Sequence, residues 1–103
     1  MIKELHQVVE KLKTSYKPEK IILFGSLANG RIKKWSDIDL AIIKKTKKRF
    51  LDRLEEVALL CDYSVGIDFL VYTPEEFEQM KSEKRYFITD EIIKKGKVMY
   101  ERK

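Results

Sequence analysis

Apolar residues at Ile2, Leu5, Val8, Val9 and Leu12 recur every three or four positions, which predicts an amphipathic helix at the N-terminus. Pro18 ends it, because a proline keeps the residue before it out of helical angles. Ile21-Ile22-Leu23-Phe24 is an unbroken apolar run of strand formers that stops at Gly25, the pattern of a buried central strand. Ser26 to about Arg31 reads as a short helical turn closed by Gly30. Asp37 to Ile43 alternates and then turns fully apolar, predicting a second strand. After a basic connection from Lys44 to Arg49, helical spacing returns at Phe50, Leu51, Leu54, Val57, Ala58 and Leu60. Gly66 to Tyr72 reads as a third strand. Thr73-Pro74-Glu75-Glu76 is a helix start: Thr73 caps, Pro74 suits the first helical position and Glu76 completes a capping box. Helical segments run on to about Lys95, Gly96 stops them, and Lys97 to Glu101 reads as a short edge strand.

A strand, a helix and a further strand from Asp37 to Tyr72 imply a parallel pair joined by a right-handed crossover. The short link between the first two strands implies that these run antiparallel. The expected fold is therefore α+β (an α/β two-layer arrangement), with a small mixed sheet flanked by helices. The 103 residues fit one domain spanning 1–103, with no repeat and no Gly/Ser linker.

Composition narrows the classes of function. No apolar run approaches the roughly 20 residues of a membrane span, and the first residues lack the apolar stretch of a signal peptide. A single cysteine, Cys61, rules out an internal disulfide and disfavours a zinc site. The default setting is cytoplasmic, with no membrane partner. A net charge of +5 favours phosphate-bearing partners. Many lysine-rich soluble proteins share that charge, so nucleic acid is not the favoured partner.

The topology gathers chemistry at one rim of the sheet. Gly25 ends the first strand, Asp37 and Asp39 begin the second, and Asp68 lies early in the parallel third. Asp37 and Asp39 are two apart in a strand and share a face. At an effective dielectric near 20, two carboxylates ~4 Å apart cost roughly 4 kcal/mol, against a total domain stability of about 5–15 kcal/mol. Protonation or divalent cations relieve such a cluster. Magnesium takes oxygen ligands and keeps positions open for substrate phosphates. Two such ions about 3.5–4 Å apart clamp both oxygens of an in-line displacement. Gly25 lets a phosphate approach the backbone closely, and the start of a following helix favours anions, with the Ser26 hydroxyl as a further donor. The plainer readings are an acidic strand start and an ordinary strand-to-helix turn. The joint spacing of Gly25-Ser26, Asp37, Asp39 and Asp68 speaks against them.

Gly25-Ser26-Leu27-Ala28-Asn29-Gly30, then Ser36-Asp37-Ile38-Asp39-Leu40, then Ile67-Asp68-Phe69-Leu70 resemble the signature of the minimal nucleotidyltransferases, within the polymerase-beta-like superfamily. The resemblance extends to the closing Gly96-Lys97-Val98-Met99-Tyr100-Glu101 stretch. It implies that Asp37 and Asp39 ligate both magnesium ions, and that Asp68 ligates the catalytic one and helps activate an acceptor hydroxyl. It implies too that Gly25 and Ser26 bind the β- and γ-phosphates of ATP, that AMP passes to the acceptor and that pyrophosphate leaves. Members of this kind are often paired with a HEPN-domain protein in toxin–antitoxin systems, and some add AMP to a tyrosine of that partner. By resemblance this chain is the antitoxin, a protein adenylyltransferase and part of a hetero-oligomer or homo-oligomer. The alternatives are a non-catalytic antitoxin acting by contact, and a nucleotidyltransferase subunit acting on RNA ends or a small molecule. One departure is Asn29, where many relatives carry arginine; Arg31 is close by.

Arg31, Lys33 and Lys34 lie between the glycine turn and the acids, within reach of phosphate or acceptor. Lys44, Lys45, Lys47, Lys48 and Arg49 are expected in a solvated loop, because Lys44 is about 16 Å beyond Asp39 at roughly 3.3 Å per residue. His6 is expected on a helix surface, Cys61 in or near the core, and Trp35 in packing.

Overall fold

The computed structural model describes residues 2–25, 38–60 and 67–102. Helix α1 (Ile2–Lys11) continues into a wider π-helical turn over Leu12–Tyr16. Leu5, Val8, Val9, Leu12 and Tyr16 are buried along one side of it, and His6 is exposed as expected. The helix ends before Pro18, by a different device from the extended residue expected. Lys17 takes left-handed angles (φ 54, ψ 57) and donates its N–H to the Leu12 carbonyl at 2.9 Å, which satisfies an otherwise orphaned end group.

Four strands form one sheet in the order β3-β2-β1-β4, where β1 is Lys20–Phe24, β2 Ile38–Ile43, β3 Ile67–Tyr72 and β4 Lys97–Glu101. β1 pairs antiparallel with both neighbours, and β2 pairs parallel with β3, so the sheet is mixed as the connections implied. The unbroken apolar run of β1 has a direct cause: both of its faces are covered. Ile21 and Leu23 join Leu40, Ile42 and Val71 under α1 and helix α2 (Phe50–Leu60). Ile22 and Phe24 join Ala41 and Ile43 under helix α3 (Pro74–Ser82) and a π-helical segment, Phe87–Lys94, through Phe77, Ile88 and Ile92. Fully burying one such side chain is worth about 1.5–3 kcal/mol, so these two layers hold the strands in register.

The end of the sheet where β2 and β3 finish is fastened by charge. Thr73 caps α3 and Glu76 returns the capping box, with Pro74 at the first position. Glu76 also takes a two-pronged contact from Arg53 of α2, at 2.7 and 3.2 Å. Arg53 is buried and donates further to the carbonyls of Lys48 and Val71. One side chain thus ties α2, β3 and α3 together. Lys44 departs from the solvated loop expected for it. It is half-buried, donates to the Tyr16 carbonyl at 2.5 Å and sits over the Tyr16 ring, because its stem covers apolar surface that the π-helical turn exposes. Its neighbours Lys45, Lys47, Lys48 and Arg49 are exposed. The helical turn expected at Ser26–Arg31 lies outside the described residues, as do Lys33, Lys34, Trp35, Asp37 and Cys61. No described helix is long and apolar enough to cross a membrane.

Candidate active site

At the other end of the sheet β1 finishes and β2 and β3 begin. Gly25, the residue after β1, has a φ of +82, a left-handed value that side-chain-bearing residues rarely adopt. A Cβ placed there would overlap the carboxylate oxygen of Asp39 and lie 3.1 Å from its Cγ. The glycine therefore lets the chain turn and lets the Asp39 carboxylate lie directly against backbone. Antiparallel pairing sets this up, because Asp39 stands opposite Phe24, the residue before the turn.

The parallel ladder then aligns Asp39 with Asp68. Paired residues in a sheet project to the same side. That side is the one holding Phe24, Ala41, Ile43, Leu70 and Tyr72. The two carboxylates thus stand on one face of neighbouring strands, which lie about 4.8 Å apart in a sheet. Asp39 is half-buried and Asp68 exposed. Both line an open cleft of about 550 Å³, together with Phe24, Leu54, Ala58, Phe69 and Leu70. No lysine or arginine is among those described lining residues.

Of the expected site residues, the structure brings together Gly25, Asp39 and Asp68. Ser26 and Asp37 lie outside the described residues. Among the described residues no three His, Cys, Asp or Glu side chains form a metal-binding group, since the expected third carboxylate is Asp37. The part that is described fits a hard divalent cation: two carboxylates at one level of the sheet, beside a glycine turn that leaves room for one of them against the backbone. Leu54, Ala58 and Phe69 are additions that helical and strand spacing had marked only as packing positions. Their place beside the acids follows from how α2 crosses the sheet.

Size alone would have pointed elsewhere. A larger cleft of about 830 Å³ opens between the end of the π-helical turn and α2, lined by Tyr16, Lys44, Lys48 and Glu56 among others. It lies at the far end of β2 from Asp39, with no share in the glycine turn. Register, and not volume, selects the site.

Comparison with known proteins bears on the family and the fold. A family model described as Polymerase beta, Nucleotidyltransferase matches residues 6–103. A Haemophilus influenzae protein named Probable protein adenylyltransferase MntA is 41% identical over 61 residues, which make up 55% of this chain and 54% of that protein. The match thus spans about half the length of that curated relative. A crystal structure of a candidate nucleotidyltransferase from Sulfolobus solfataricus superposes with a TM-score of 0.68 at 24% identity, covering 99% of this chain and 81% of the other. At that identity the superposition speaks to the fold alone.

Proposed function

The chain belongs to the polymerase beta nucleotidyltransferase family, and on that premise we propose that it transfers AMP from ATP to a hydroxyl group carried by another protein. The observation that carries this reading is the parallel pairing of Asp39 with Asp68 on one face, hard against Gly25. The name of the Haemophilus influenzae relative supports a protein acceptor. Asp37, Asp39 and Asp68 would hold magnesium, which when bound supplies charge neutralisation at the transferred phosphoryl group. Gly25 and Ser26 would seat the β- and γ-phosphates with backbone N–H groups and a hydroxyl. Asp68, on the strand farthest from the glycine turn, would take up the proton of the acceptor hydroxyl as the bond to the α-phosphorus forms and pyrophosphate leaves.

The resemblance to minimal nucleotidyltransferases supplies the finer proposal: the acceptor is a tyrosine of a HEPN-domain toxin, and the chain acts as its antitoxin. The test is incubation of the full chain with α-labelled ATP, magnesium and that partner. Label should reach the partner with the wild type and not with Asp39→Asn. Absence of transfer across magnesium and manganese, with ATP still bound, would overturn the reading.

A further inference from the structure

β3 is one margin of the sheet. In its parallel ladder with β2, the Tyr72 carbonyl accepts from the Lys44 N–H. Backbone groups of successive strand residues point to opposite sides, so Asp68 and Leu70 also bond toward β2, while Phe69 and Val71 turn their N–H and C=O outward. Arg53 of α2 covers the outward Val71 carbonyl at 3.1 Å. Among the described residues no backbone group pairs with the outward N–H and C=O of Phe69.

The acid cleft runs along this edge. Phe69 and Leu54 pack in the layer under α1 and α2, and Leu70 packs in the layer under α3. Asp68 projects to the same side as Leu70. The cleft that holds Asp39 is lined by all four, and one cleft reaches both faces of a strand only by passing its margin. Asp68, Phe69 and Leu70 lie inside β3, so the margin passed is its long edge. The opposite margin of the sheet is guarded. β4 begins with Lys97, and its pairing with β1 shifts register between Ile21 and Ile22. Edge lysines and bulges are devices that keep a sheet from pairing with another chain. β3 has neither lysine, proline nor glycine and pairs with β2 without a shift. The unguarded edge is the one beside the acids.

We propose that the edge of β3 at Phe69 receives an extended segment of the acceptor polypeptide as an added strand, and that this segment carries its hydroxyl residue between two apolar residues. It rests on the transfer reading for where the hydroxyl enters. Strand addition takes affinity from main-chain hydrogen bonds and specificity from alternate side chains. A guest residue paired with Phe69 projects to the Phe69 side, where Leu54 and Ala58 wall the cleft and an apolar side chain fits. The next guest residue stands opposite Asp68 and projects with it, which is the place for the hydroxyl. The residue after that returns to the α2 side. Arg53 on the Val71 carbonyl ends the pairing, so the guest strand is short. A second copy of this chain fits less well. Two β3 strands paired about a two-fold axis at Phe69 would set Leu70 opposite Asp68 and bring no hydroxyl to that level.

The test uses the full chain and synthetic peptides built around one tyrosine. The parent has valine on both sides of it. A second has lysine in place of both valines. A third is the parent with both valine nitrogens methylated, and a fourth is the parent with only the tyrosine nitrogen methylated. Methylation at the valines removes the donors aimed at β3, and methylation at the tyrosine removes a donor that points away. Fluorescence anisotropy reads binding, and label from α-labelled ATP with magnesium reads transfer. Valine methylation and lysine flanks should each weaken binding about tenfold or more, and tyrosine methylation about twofold or less, with transfer falling in the same order. Phe69→Pro deletes the outward N–H and should weaken the parent peptide more than Phe69→Ala does, with melting curves as proof of folding. If Phe69→Pro does not fold, the methylated peptides decide alone. Equal effects of the two methylations, equal binding of the lysine-flanked peptide, or no binding up to about 1 mM overturns the proposal. A dimer of the chain that excludes the parent peptide and is lost in Phe69→Pro gives the edge to a second copy and overturns it too. Binding that follows the methylation pattern without label transfer under any metal supports the strand site and counts against the transfer reading. Transfer that ignores valine methylation supports the transfer reading and overturns the strand site.

Discussion

At one end of the sheet Glu76 accepts two hydrogen bonds from Arg53 and one from the Thr73 backbone. At the other, Asp39 and Asp68 stand side by side on one face, against a glycine, in a cleft with no lysine or arginine among its described lining residues. The same chemical group does opposite things at the two ends. The Glu76 carboxyl pKa is lowered, first by the Arg53 hydrogen bond and further by the Thr73 backbone, with partial burial opposing them. Its charge therefore stabilises the fold. Asp39 and Asp68 are instead gathered at one level of the sheet beside the glycine turn, in an open cleft, the kind of place where carboxylates serve chemistry and not the fold. The pair of ends teaches that a carboxylate's role is read from its partners.

The sharpest way to break this contrast is to neutralise an acid at each end. Asp39→Asn and Asp68→Asn should each lower nucleotidyl transfer by roughly 100- to 1,000-fold, the range for losing one electrostatic group aimed at the reacting centre. Thermal stability should change by less than about 1 kcal/mol, as for a change outside the packed core. Transfer assays beside melting curves check both halves. A melting temperature that falls with each variant would make these acids structural and erase the distinction.

Glu76→Ala should do the reverse. It strands the buried Arg53 charge and removes half of a capping box, for a loss of about 3 kcal/mol after allowing for the partial exposure of Glu76. Urea denaturation reads it. The pH dependence has a definite sign. The folded-state pKa of Glu76 is depressed, so its contribution is complete above the unfolded-state value and is lost as pH falls through the folded one. Stability should decline from about pH 5 downward, and Glu76→Gln should flatten that acid limb. An identical acid limb in the variant would show that other carboxylates dominate it.

Gly25→Ala sharpens the comparison at the site itself. The new methyl must occupy space held by the Asp39 carboxylate, in a conformation that already disfavours a side chain. The expected loss is about 1–3 kcal/mol of stability, with a larger fractional loss of ATP affinity. Isothermal titration with ATP and magnesium measures the second term. Full retention of ATP affinity would remove the turn from the site.

Much of this arrangement is legible in the chain because its determinants are local. The Ile21–Phe24 run declares a strand buried on both faces. Thr73, Pro74 and Glu76 declare the start of α3. The glycine and the acids converge because a helix between β2 and β3 forces those strands parallel, which aligns residue 39 with residue 68. What stays hidden depends on tertiary contact. Arg53 looks like any arginine on a helix surface, and its partner Glu76 is 23 residues away. Lys44 finds the carbonyl of Tyr16, 28 residues back, and nothing in its own neighbourhood signals that. Helical spacing also marks Leu51 and Leu54 as packing positions alike, although Leu51 faces solvent and Leu54 lines the cleft that holds Asp39 and Asp68.

The gentlest probe is Tyr16, at the same end of the sheet as Glu76. Its hydroxyl is buried and has no hydrogen-bond partner among the described residues. Burial first, and then the nearby charge of Glu56, push its pKa up to about 12. Glu56 is itself engaged by Lys48. A raised tyrosine pKa favours the protonated form in the folded state. Its contribution is complete below the unfolded-state value of about 10 and is lost as pH rises towards the folded-state value. Tyr16→Phe keeps the ring that Lys44 covers and deletes only the orphan hydroxyl. Stability at neutral pH should change by less than about 1 kcal/mol, because an unmade hydrogen bond contributes nothing when removed. The alkaline limb above about pH 10 should become shallower, with Tyr72, also raised by burial, leaving part of it in place. A loss above about 2 kcal/mol at neutral pH would mean that the hydroxyl is bonded in the folded state, through water or Glu56. Tyr16 would then join Glu76 among the satisfied polar groups of that end.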